Sequence, residues 1–186
     1  MSSPCDPAHA RAGDVSTAVM VMDSRLKAIY DGKTGTDPEQ QRLAEDFVAS
    51  MGPADADALL DGVCTLIYMY MDWLRTVCER HDKDVIEHVV PTLVATMRMM
   101  PNTFRPEVVP TMAGLLIASG TGLSPNLWRA QYGDWTRAEM NPLEATAVLL
   151  AEQINRMVGD DQEFATRLIT DALAVTDENW PPGPGC

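Results

Sequence analysis

The chain has 186 residues, 46% of them apolar, with 27 Asp and Glu against 14 Lys and Arg, giving a formal net charge of −13. That length suffices for one well-cored domain, and the apolar share is too high for wholesale disorder. No apolar run reaches membrane-spanning length, because Leu59–Leu74 is interrupted by Asp61 and Asp72, and no basic cluster exists of the kind that displaces phosphate counterions, so direct nucleic-acid binding is not expected.

The first thirty residues hold no basic stretch followed by an apolar one, so no secretory signal is read and a cytoplasmic location is expected. Residues 1–13 are poor in core formers and read as a flexible tail, residues 14–176 as one helical domain, and the Pro/Gly-rich 177–186 as a second tail. Charge is distributed unevenly. Residues 1–87 carry a net −8 and residues 139–186 a net −7, whereas 88–138 carry +2.

Val15, Val19, Met22 and Leu26, with Ile29 or Tyr30, mark the inward face of a helix over 15–30. Asp37-Pro38 with Gln40 places a capping side chain before proline and predicts a helix over 38–51, with Gly52 as its stop. Residues 56–80 repeat apolar side chains three and four apart, from Leu59 through Val63, Ile67, Tyr70 and Leu74 to Cys78. Cys64, Tyr68 and Met71 widen that stripe, so this helix should be central and buried around much of its circumference. Cys64 and Cys78 lie about 21 Å apart along it and cannot form a disulfide. Cys5 and Cys186 fall in the tails, and reduced thiols are expected throughout.

If the chain stayed helical from 78 to 88, then Cys78, His81, Asp84 and His88 would share about a third of the circumference as thiolate, imidazole and carboxylate metal ligands. Asp82-Lys83 reads instead as a helix boundary, with His81 near a C-terminus that favours positive charge. The four remain a metal candidate, although no cofactor is expected.

Val89-Val90-Pro91-Thr92 returns nineteen residues later as Val108-Val109-Pro110-Thr111, each copy with a Glu upstream and a large apolar residue downstream. Proline is tolerated in a first helical turn, so the doublet predicts two short helices with related entry geometry, over 83–100 and 107–119. A turn over Met100–Pro106 separates them. Gly120-Thr121-Gly122 lacks the Lys-Ser/Thr ending of a phosphate loop and reads as a linker. Ser124-Pro125 and Asn141-Pro142 then predict helices over 125–132 and 142–158, stopped by Gly133 and Gly159. A last helix over 162–175, capped by Asp160 or Asp161, would turn Phe164, Leu168, Ala172 and Val175 inward. No run shows strand alternation, so the expectation is an all-α single domain, an orthogonal bundle or short helical-hairpin stack of seven to nine helices.

The low-acid middle segment carries Phe104, Arg105, Trp128, Arg129, Tyr132 and Trp135, residue types that concentrate binding energy in protein interfaces. The competing reading closes the core with Trp128 and Tyr132 and uses Arg129 to neutralise a carboxylate. With no reactive constellation legible, the leading expectation is a non-catalytic interaction or regulatory module acting on a protein partner or as a homodimer. One alternative is a small-ligand sensor or metal-dependent enzyme with an interhelical pocket lined by Tyr68, Met71, Trp73 and Trp128. The other is an acidic nucleic-acid mimic.

Overall fold

A computed structural model describes residues 10–32 and 52–178. These form seven multi-turn helices and one single turn: α1 (Ala12–Tyr30), α2 (Pro53–Arg80), the single turn α3 (Val85–His88), α4 (Val90–Arg98), α5 (Val109–Gly120), α6 (Pro125–Ala130), α7 (Arg137–Met157) and α8 (Phe164–Glu178). No strand occurs among the described residues, and no helix there is long and apolar enough to cross a membrane. The helix expected over 38–51, with Cys5 and Cys186, lies outside the described residues.

The rod at the centre is α2, which packs against α1, α3, α5, α6, α7 and α8. Its six consecutive residues Gly62–Ile67 are all buried, as are Tyr70, Met71, Leu74 and Cys78. A helix apolar on nearly every side cannot face water, and each fully buried Leu or Ile contributes about 1.5–3 kcal/mol toward wrapping it. The phenol this brings inside is satisfied, because Tyr70 donates to the Ala165 carbonyl at 3.3 Å and so ties α2 to α8. A second polar tie is Asn155, 1% exposed, whose amide donates to Tyr30 Oη (3.1 Å) and the Gln162 carbonyl (2.9 Å) while accepting from the Ala165 N–H (2.8 Å). That side chain joins α1, α7 and the start of α8.

The repeated phrase opens two helices in the same way. Val89 and Val108 are the N-caps of α4 and α5, with proline in the first turn of each. Both Val-Val pairs are buried, both prolines are exposed, and Leu93 and Met112, four residues after the caps, are both buried. The two helices pack on each other.

Several boundaries differ from expectation for identifiable reasons. The α1 helix begins at Ala12, inside the stretch read as tail, because the Ala10 N–H donates to Thr65 Oγ1 at 2.8 Å and holds the entering chain against α2. Gly52 is the N-cap of α2, its N–H donating to Asp55 Oδ2 at 3.2 Å. The seventh helix starts five residues before Pro142, because the Glu139 carboxylate accepts from the Thr136 N–H (2.9 Å) and hydroxyl (2.8 Å), a capping box that outcompetes the Asn141-Pro142 signal. On α8, Ala165 and Ile169 are buried and Phe164, Leu168 and Leu173 pack on the core, whereas Ala172 and Val175 face outward. The two hydrogen bonds at Ala165 fix that rotation.

Two helices approach closely at Gly62, where a Cβ would stand 2.4 Å from the Asp14 carbonyl oxygen of α1. Backbone cannot swing aside as a side chain can. Gly62→Ala is therefore expected to lose about 1–3 kcal/mol in urea denaturation, despite alanine's better helix propensity. Gly13→Ala, where a Cβ meets nothing within 4 Å, should be neutral or stabilising.

Candidate functional site: the α5–α6 surface

The six residues expected to meet a partner take different roles. Phe104 is 1% exposed and belongs to the core. Its N–H donates to the Met100 carbonyl at 2.8 Å, in a tight turn that folds the ring inward beneath the repeated helices. It is therefore not a surface residue.

Arg129 is also corrected. It is 8% exposed and forms a forked pair with Glu139, Nη1 to Oε1 at 3.1 Å and Nη2 to Oε2 at 2.8 Å, with a further bond to the Asp134 carbonyl at 2.5 Å. Its guanidinium lies 4.2 Å from the centroid of the half-buried Trp135 ring. Burial alone would raise the Glu139 carboxyl, but the Thr136 N–H and hydroxyl and the Arg129 guanidinium together hold it below its ordinary value of 4.5. The arginine thus locks the α6–α7 connection, and Trp135 covers it.

Arg105 is exposed, and Tyr132 is 66% exposed. Tyr132 tilts against Trp128, ring centroids 5.0 Å apart. The half-buried Trp128 in turn covers Gly114 of α5, where a Cβ would stand 3.0 Å from Cζ2. The same two helices and their connection carry exposed apolar side chains that were not anticipated: Ile117 on α5, Leu123 in the connecting loop and Leu127 on α6, each 42–43% exposed. Ile117 is three residues from Gly114, and Leu127 neighbours Trp128, so both flank the contact by which α5 and α6 pack together. The available signal was the complete absence of charged residues from Val108 to Trp128.

The metal candidates are not brought together. The α2 helix ends at Arg80, His81 is its C-cap and Asp82 has φ 56°, so the continuous helix that their shared face required does not exist. Asp84 instead caps α3 by accepting the Ile86 N–H at 2.6 Å, and His88 Nδ1 lies 3.1 Å from the Asp84 carbonyl. Among the described residues no three His, Cys, Asp or Glu side chains are grouped to hold a metal. Burial pushes the Cys64 and Cys78 thiols up, away from the reactive thiolate.

Of the four residues expected to line an interhelical pocket, three pack against other elements of the fold. Met71 is fully buried, with its methyl 3.1 Å from where a Cβ on Gly120 would lie. Trp73 packs edge-on to Phe164 at 5.6 Å, and Trp128 covers Gly114.

Arg129→Met strands a buried carboxylate and should lose about 3 kcal/mol in urea denaturation at neutral pH, while Arg129→Met with Glu139→Leu recovers much of it. Glu139 is depressed in the folded state, so its contribution is complete above pH 4.5 and is lost as pH falls through its lowered value. Stability of Arg129→Met should accordingly depend less on pH in that acid range. Compared with known proteins, the chain matches no family model, no curated protein and no solved structure.

Proposed function

We propose that the chain is a non-catalytic helical interaction module that docks a partner protein through the α5–α6 surface. The observation that carries this reading is the coincidence of charge-free sequence with exposed apolar side chains at Ile117, Leu123, Leu127 and Tyr132, in a chain of net charge −13. Side chains of this size gain about 1.5–3 kcal/mol each when fully covered. Charged residues are depleted from interface centres because their desolvation is costly, and a neutral apolar patch avoids that cost.

Charge also selects the partner. Strongly acidic segments precede and follow the neutral surface, which favours an apolar patch rimmed by Lys and Arg. A second copy would bring its own −13 against the first. Such repulsion is screened over about 8 Å at physiological ionic strength, so association with a basic-rimmed partner should weaken with added salt, whereas self-association should strengthen.

The test is photocrosslinking in cells from a residue placed at position 117, with position 20 of exposed α1 as control. The expected product is one heterologous adduct from 117 alone. Its purified partner should bind the purified chain with affinity that falls with salt and drops about tenfold or more in Leu127→Asp. No adduct above the control, an adduct solely between two copies, or an affinity indifferent to Leu127→Asp would each refute the proposal.

A further inference from the structure

Carboxylates outnumber basic side chains almost two to one in this chain, and four arginines on the described surface find one: Arg25 with Glu144, Arg75 with Asp72, Arg156 with Glu152 and Arg167 with Asp161. Arg105 and Arg137, like Arg11, Arg80 and Arg98, have no carboxylate ion pair among the described residues, but these two lie together. Both line a single hollow of about 470 Å³ between the turn that follows α4 and the first turns of α7, together with Asn102, Thr103, Asn141 and Pro142. No carboxylate lines it.

One amide at the hollow is oriented by a contact already in place. Asn141 Oδ1 accepts from Arg25 Nη1 at 3.3 Å, which leaves the amide NH2 as its free end. Arg25 is itself anchored by Glu144 at 2.6 Å. Pro142 sits inside α7 and has no N–H to give the carbonyl of Ala138, an exposed residue that lines the hollow, so that acceptor lacks its α-helical donor. The residues that carry two guanidiniums, two side-chain amides and this carbonyl therefore line the same space. Guanidinium forks match the two oxygens of a carboxylate or phosphate, and a spare carbonyl suits a hydroxyl.

We propose that this hollow is a binding site for a small hydroxylated oxyanion, with Arg105 and Arg137 gripping the anionic group and the Ala138 carbonyl accepting the ligand's hydroxyl. The site is separate from the α5–α6 surface and does not depend on the docking proposal. It also gives the departure from regular helix at Pro142 a use.

The probes are glycerol phosphate, citrate and sulfate, titrated into the full-length protein and followed by calorimetry and by the arginine Nε–H resonances. Saturable shifts confined to Arg105 and Arg137 are expected. Arg105→Gln and Arg137→Gln should each weaken binding about tenfold or more, since a charge-assisted hydrogen bond is lost, with folding unchanged by circular dichroism. Arg80→Gln, on exposed α2 surface, should bind as wild type. Sulfate, which lacks a hydroxyl, should bind more weakly than glycerol phosphate, and equal affinity would remove the role given to the Ala138 carbonyl. The tighter of glycerol phosphate and citrate identifies phosphate or carboxylate as the recognised group. Absence of saturable binding up to about 10 mM of either, or unchanged binding in the Arg105→Gln/Arg137→Gln double variant, would overturn the site. Equal shifts at Arg80 would do the same, marking a general ionic-strength effect.

Discussion

A helix that is apolar around most of its circumference must be wrapped, and the arrangement of the other elements follows from that need. Along α2 the stretch Gly62–Ile67 is buried on all sides. The α1 helix comes close enough at Gly62 that only the absence of a Cβ permits the contact. From the other sides α5, α6, α7 and α8 complete the wrap. Two of the polar groups carried inward, the Tyr70 hydroxyl and the Asn155 amide, are bonded to the backbone at Ala165. Buried polar groups are costly unless paired, so these bonds fix the orientation of α8 as well as supporting the core.

The same economy of charge organises the surface. Acidic side chains gather before and after the middle segment, leaving the chain from Val108 to Trp128 without any charge. One arginine of that region, Arg129, is drawn inside to meet Glu139 and stack on Trp135. Arg105 and Arg137 remain outside around a hollow without carboxylates. Two surfaces of different chemistry thus lie on one small domain, an apolar one over α5 and α6 and a cationic one beside the start of α7.

Proline punctuation was informative where nothing competed with it. Pro91, Pro110 and Pro125 each stand in the first turn of a helix, as their missing N–H allows. Pro142 carries the same local signal and yet lies inside α7, because Thr136 and Glu139 cap the helix earlier and Asn141 is engaged by Arg25 of α1. Metal-ligand spacing at Cys78, His81, Asp84 and His88 held meaning only for an unbroken helix, and the positive φ at Asp82 breaks it. For Arg129 and Phe104, residue type suggested an interface, while burial assigns both to the fold. Side-chain chemistry names what a group can do, but which neighbour it meets depends on contacts far away in the chain.

By itself, the sequence determined the helical class, the central place of α2 and the kinship of α4 with α5. These follow from apolar periodicity and from the covalent limits of proline, which act over a few residues. Tertiary structure alone decided that Arg129 pairs inward while Arg105 does not, that Ala172 and Val175 turn outward, and that Ile117 and Leu127 come to flank one exposed contact. Those outcomes depend on the rotation of each helix about its own axis. That rotation is set by the best joint burial of the entire set, with Gly62, Gly114 and Ala165 as the points of closest fit.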